Sequence, residues 1–183
     1  KTKTPFAGTG EELTKALLEA IDQALVAAGK TRHDVGAVGV AAPGPLDSSR
    51  GVLLRANNLA VENFSVIDAL GPHFPGVSEV KLENDVRLAA YGEAHLGAGK
   101  GVRSMVAMWV GTGLGGAVLF DGKLWTGRNR NAGEIGQINV DIRRAKPGLS
   151  DGTLENVAAK VGMTRWLREK IEDGEKTSLK KVV

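Results

Sequence analysis

The sequence predicts an α/β fold, a mixed sheet flanked by helices, on three observations. Apolar runs rich in β-branched residues, at Val35–Ala42, Val77–Leu82 and Met105–Val110, alternate with stretches whose apolar residues recur at helical spacing. An Asp-Gly pair, Asp121-Gly122, separates the apolar run Ala117–Phe120 from Lys123–Trp125, which signals a hairpin and adds antiparallel pairing. Glycine supplies 25 of the 183 residues and is gathered in clusters, as in special loops rather than linkers.

Each element follows from local pattern. Leu13, Leu17, Ile21, Leu25 and Val26 line one helical face from Glu11 to Ala28, and Gly29 stops it. Val35–Ala42 reads as a strand broken by Pro43-Gly44-Pro45, and Gly51–Arg55 as a short strand ended by Asn57-Asn58. Val66–Leu70 is expected as a short helix closed by Gly71-Pro72. The strand Val77–Leu82 runs into Glu83-Asn84-Asp85, where a helix from Val86 to Leu96 begins. Met105–Val110 reads as a buried strand, followed by the cluster Gly111–Gly116 and the hairpin. Ala132–Ile142 is expected as a glycine-punctuated loop ending in a strand. Thr153–Lys170 reads as one amphipathic helix with Leu154, Val157, Val161, Trp166 and Leu167 facing inward. Two lobes are expected, residues 1–97 and 98–183. The Val35–Ala42 strand has no earlier strand to pair with, so the expectation is a domain truncated at both ends.

Composition narrows the function classes. With 42% hydrophobic and 25% charged residues, the chain has too much apolar content for whole-chain disorder. No apolar run approaches the ~20 residues of a membrane span. No cysteine is present, so disulfides and thiolate metal sites are excluded, and a reducing, cytoplasmic location is expected. The net charge of +3 is spread along the chain. Its basic segments, Arg128–Arg130, Arg143–Lys146 and Lys176–Lys181, do not interleave with aromatics, which argues against nucleic-acid binding.

Four places could carry chemistry. Gly111-Thr112-Gly113-Leu114-Gly115-Gly116 matches G-x-G-x-x-G, but a dinucleotide fingerprint requires a helix directly afterwards, and here a strand follows. Such a turn can cradle phosphate through converging backbone N–H groups, with Thr112 adding a hydroxyl; the alternative is a tight β-turn. Asp85 stands where a strand ends and a helix starts. There a carboxylate can act as general base, or Asn84 or Asp85 can simply cap the helix. Glu134, between Gly133 and Gly136, can accept hydroxyl hydrogen bonds where glycines let backbone approach a ligand, or lie in a solvated loop. Glu155 opens the last helix, where an acid also suits the helix dipole. His33, His73 and His95 have no metal-ligand spacing, and no nucleophile elbow appears.

Taken in order, these segments resemble the ROK family of bacterial sugar kinases and sugar-sensing repressors. The matching pieces are Val38–Pro45, Gly51–Leu54 with Asn57-Asn58-Leu59, Glu83-Asn84-Asp85 with Ala89–Glu93, Val110–Gly116, Asp121-Gly122, Gly127 and Ala132–Gly136. The resemblance implies the actin-like, ribonuclease-H-like ATPase fold and ATP-dependent phosphorylation of a glucose-like hexose at its 6-hydroxyl. Asp85 is then the general base. Asn84, Glu134, Glu155 and Asn58 are sugar-hydroxyl partners, and Gly111, Thr112, Gly113, Gly115 and Gly116 form the second phosphate loop. ATP and Mg²⁺ are the implied cofactors, and a homodimer the implied assembly. The family's first phosphate loop, D-x-G-G-T, has no counterpart in this sequence. Many members also hold zinc through one His and three Cys. Here Gln137, Lys146, Gly148 and Thr153 take those positions, so no zinc is expected, and the Gln137 amide is left to serve the sugar. The other reading within the family is a sugar-sensing regulator that needs no catalysis.

Overall fold

A computed structural model of the chain describes residues 9–56, 61–141 and 152–181. The chain divides into two compact units, Lys1–Leu88 and Ala89–Val183.

In the first unit, helix α1 (Gly10–Ala27) is opened by a capping box. Thr9 Oγ1 accepts the Glu12 N–H, and the Glu12 carboxylate accepts the Thr9 N–H at 2.8 Å. A single 3₁₀ turn, Arg32–Asp34, then returns the Arg32 guanidinium to Asp22, with both carboxylate oxygens engaged at 2.6 and 2.7 Å. Strands β1 (Val38–Ala42), β2 (Leu46–Asp47), β3 (Val52–Ala56) and β4 (Val61–Ser65) follow. Helix α2 (Val66–Leu70), strand β5 (Val80–Asn84) and helix α3 (Asp85–Leu96) complete the order. β1 and β5 pair in parallel, Val38 with Val80 through Ala42 with Asn84, while β2, β3 and β4 form an antiparallel sheet. This mixture of parallel and antiparallel strands with helices is the predicted α/β class. Leu53, Leu70, Phe74 and Leu82 are fully buried at the centre of the unit, and Leu17, Leu18 and Ile21 of α1 pack on that cluster. β4 has no sequence counterpart among the predicted elements. Glu62 and Asn63 are exposed and Asn63 has a left-handed φ of 51°, so its apolar alternation is too short to read.

In the second unit, β6 (Ser104–Val110), β7 (Leu114–Phe120) and β8 (Lys123–Leu124) form an antiparallel meander. Asp121 and Gly122 join β7 to β8 with φ of 47° and 73°, the two left-handed residues of a type I′ turn, as the Asp-Gly signal predicted. Helices α4 (Leu154–Ala158) and α5 (Lys160–Glu172) replace the single expected helix. Ala159 is extended at ψ 169°, and the Lys160 N–H leaves the helical ladder to donate to the Gly111 carbonyl at 3.0 Å. The break shifts the helical phase. Val157, Val161 and Trp166 are 43%, 57% and 55% exposed, contrary to the inward face predicted for them. No helix among the described residues is long and apolar enough to cross a membrane.

Candidate functional site

The first unit carries Asp85 at the carboxyl end of β5, as the first residue of α3. Sequence alone left Asn84 and Asp85 as rival caps. Asn84 Oδ1 accepts the N–H groups of both Val86 and Arg87, at 3.0 and 3.2 Å, which is the N-cap pattern. Asp85 is exposed; its Oδ1 accepts only the adjacent Val86 N–H at 2.9 Å among the described residues. Asn84 has thus committed its acceptor to the helix, and its amide NH₂ is what it can offer a ligand.

Three residues behind Asp85, Glu83, Ser48 and Arg87, were given no role from the sequence. Glu83 accepts the Asn84 N–H at 2.8 Å through Oε1 and the Ser48 hydroxyl at 3.1 Å through Oε2. The buried Arg87 guanidinium lies 3.7 Å from the same carboxylate. Burial of a guanidinium requires such pairing. The i, i+4 spacing of Glu83 and Arg87 was the available signal, hidden because it spans a strand-to-helix junction. Together they tie the turn that presents Asp85 to the β2–β3 connection.

The second unit brings the glycine turn, Gln137 and Glu155 together. Val110 and Leu114 are register partners, so the turn proper is Gly111-Thr112-Gly113, closed by a 2.8 Å bond from the Gly111 N–H to the Gly113 carbonyl. Gly115 and Gly116 lie within β7 instead of in the loop expected for them. Their neighbours give the reason for one of them: a Cβ on Gly116 would come within 2.6 Å of the Gly133 carbonyl. A Cβ on Gly133, which has φ 90°, would come within 2.8 Å of the Ala117 Cα, and one on Gly136 would strike the Leu114 carbonyl. The glycines flanking Glu134 thus let the loop approach β7.

Glu155 Oε2 accepts the Leu114 N–H at 2.8 Å, and Gln137 Nε2 donates to Oε1 at 3.4 Å. The acid therefore organises the turn. Glu134 and Gln137 are exposed, at the start and end of the short 3₁₀ helix Ile135–Gln137. Thr112 is exposed at the tip of the turn. Thr153 caps α4 by accepting the Asn156 N–H at 3.3 Å. Asn58, Lys146 and Gly148 lie outside the described residues. No three His, Cys, Asp or Glu side chains converge as a metal site among the described residues.

The first unit thus offers a carboxylate at strand ends, and the second a donor-rich turn braced by an acid. Comparison with known proteins finds both kinds of ROK protein. A glucokinase from Halalkalibacterium halodurans is 32% identical over 176 residues, which is 93% of this chain and 52% of that protein. The crystal structure of a ROK family glucokinase from Streptomyces griseus, in complex with glucose and AMPPNP, superposes with a TM-score of 0.72 at 31% identity. It covers 93% of this chain and 52% of its own. A ROK family transcriptional regulator, a homolog of the E. coli MLC protein, superposes at 0.80 with 27% identity, covering 95% of this chain and 44% of its own. The chain thus spans about half the length of the curated glucokinase it matches. The profile of the ROK family matches residues 2–183, nearly the whole sequence, and the chain belongs to that family.

Proposed function

We propose that the protein is an ATP-dependent hexose kinase that phosphorylates the 6-hydroxyl of a glucose-like sugar, with Asp85 as general base. The observation that carries this reading is the division of labour between Asn84 and Asp85: the cap is Asn84, and Asp85 remains exposed at the strand ends, where α/β sheets bind ligands. In the reaction the sugar O6 forms a bond to the γ-phosphorus while the bond to the bridging oxygen breaks, and ADP leaves with that electron pair. The hydroxyl proton passes to the Asp85 carboxylate. Such transfer requires positioning and charge neutralisation more than covalent chemistry. Mg²⁺ enters with the nucleotide and neutralises phosphate charge. The Thr112 and Gly113 N–H groups and the Thr112 hydroxyl donate to phosphate oxygens, the Gly111 N–H being used to close the turn. In the second unit Glu134, Gln137 and Glu155 are the sugar-hydroxyl partners, and Gly115 and Gly116 act only by holding the turn's second strand.

Asp85→Asn tests the base. The amide keeps the shape but cannot take the proton, and general-base help is worth about 10²–10⁴-fold. Turnover of glucose with MgATP is expected to fall by that factor while glucose affinity stays within about twofold. Near-parental turnover would refute the assignment. Glu134→Gln replaces a charge-assisted acceptor worth about 1.5–3 kcal/mol, so calorimetry should show hexose binding weakened by roughly ten- to a hundredfold. Because Gln137 does not titrate, its part in sugar binding should not vary between about pH 6 and 8.

The regulator reading is favoured by the superposition on the MLC homolog. It requires hexose binding with no sugar phosphate formed from MgATP, so one binding isotherm and one coupled assay separate the two.

A further inference from the structure

We infer that Glu83 is the positioning residue of the base: through the Asn84 N–H it fixes the pose of Asp85, and Arg87 and Ser48 hold Glu83 in place. This rests on the kinase reading above. Residues 83–87 close a ring around Asp85. Glu83 Oε1 accepts the Asn84 N–H at 2.8 Å, and Asn84 Oδ1 accepts the Arg87 N–H at 3.2 Å. The Arg87 guanidinium then returns to within 3.7 Å of the same Glu83 oxygen. Asp85 sits inside the ring but is not one of its links, since its own carboxylate takes the Val86 N–H.

Ser48 anchors the ring from outside. Asp47 Oδ1 accepts the N–H groups of Ser49 and Arg50, each at 3.1 Å, and the Ser49 hydroxyl at 2.7 Å, which fixes the β2–β3 turn. From that turn the Ser48 hydroxyl donates to Glu83 Oε2 across 35 positions of sequence. Both Glu83 oxygens are thus engaged, and its cationic partner Arg87 is buried. Folding alone does not account for such a pair, because apolar residues of similar volume often serve a buried site equally well. What the polar ring supplies and apolar packing does not is direction, since each hydrogen bond favours a narrow range of angles. A general base works only within hydrogen-bond reach of its proton, and a misplacement of about 1 Å can cost on the order of 10²-fold. The Asp85 side chain is exposed, so its aim is set by the backbone on either side of it, and both sides belong to the ring.

The test combines steady-state kinetics with glucose and MgATP, calorimetry with glucose, and amide hydrogen exchange. The parent, Glu83→Ala, Glu83→Gln, Ser48→Ala and the double variant Ser48→Ala/Glu83→Ala are compared, each checked for its fold by circular dichroism. Glu83→Ala should lower kcat by roughly 10²-fold while the KM and Kd for glucose stay within about threefold. Glu83→Gln keeps a carbonyl oxygen for the Asn84 N–H and should recover about tenfold of that loss. Ser48→Ala should lower kcat by about threefold in the parent and change nothing further in the Glu83→Ala background, because it acts through Glu83. If Glu83→Ala does not fold, the kcat of Ser48→Ala and Glu83→Gln decides. Parental kcat in the Glu83 and Ser48 variants, a loss confined to KM, or equal effects of Ser48→Ala in both backgrounds would each overturn the inference. A parent that binds glucose but forms no sugar phosphate refutes the kinase reading instead. Exchange at the Asn84, Val86 and Arg87 amides then decides for the ring: faster exchange in the Glu83 variants keeps it, and unchanged exchange removes it.

Discussion

At Glu155 a single carboxylate braces the glycine turn and takes the Gln137 amide. Oε2 takes the N–H of Leu114, a residue only 4% exposed, and Oε1 receives the Gln137 amide. Truncation to alanine leaves that buried N–H without its acceptor, a cost of about 1–3 kcal/mol. Glutamine keeps a carbonyl oxygen in place. Urea denaturation should therefore order the midpoints parent, Glu155→Gln, Glu155→Ala, and coincident curves would remove the brace from the account. The same logic at Asn84 predicts that Asn84→Ala destabilises by about 1 kcal/mol through loss of the α3 cap, measurable as a lowered urea midpoint. Residue types at both places were legible in the sequence. Which oxygen bonds to which N–H was not, because Glu155 and Leu114 lie 41 positions apart.

Between elements, α1 is tied to the 3₁₀ turn Arg32–Asp34 by the Asp22–Arg32 pair, and the Arg32 guanidinium holds the Asp22 carboxyl below the usual carboxylate range. A carboxyl whose value is lowered on folding stabilises the fold above its unfolded value, about 3.9, and loses that contribution as pH falls through the lowered one. The stability difference between the parent and Asp22→Asn should hold steady from about pH 7 to 5 and shrink below about pH 4. A difference that grows on acidification would contradict this origin. The packing of the Glu134 loop on β7 makes a second demand. Gly116→Ala places a methyl group 2.6 Å from the Gly133 carbonyl, an overpacking expected to cost about 1–3 kcal/mol and to lower the melting temperature. Glycine spacing announced a special loop in the sequence but not its partner. It read equally well as room for a ligand, because the same absence of a Cβ serves both.

For the whole molecule, the parallel β1–β5 pair and the β6–β8 meander give two units, one carrying the proposed base and the other the proposed phosphate turn. The homodimer implied by the family resemblance is checked by sedimentation equilibrium, with a mass of twice the monomer expected. The α/β class and most of the longer elements were determined by the sequence alone, though not β2, β4 or the break between α4 and α5, since apolar period, Asp-Gly turn chemistry and helix stops act over a few neighbouring residues. The family was equally legible, because its motifs are short runs in a fixed order. Only the tertiary structure decided that Asn84 rather than Asp85 is the cap, that the last helix breaks at Ala159, and that Val157, Val161 and Trp166 face outward. It also decided that Gly115 and Gly116 belong to a strand. The break and the outward face depend on contacts between segments far apart in the chain, such as Lys160 with Gly111, which no local period encodes.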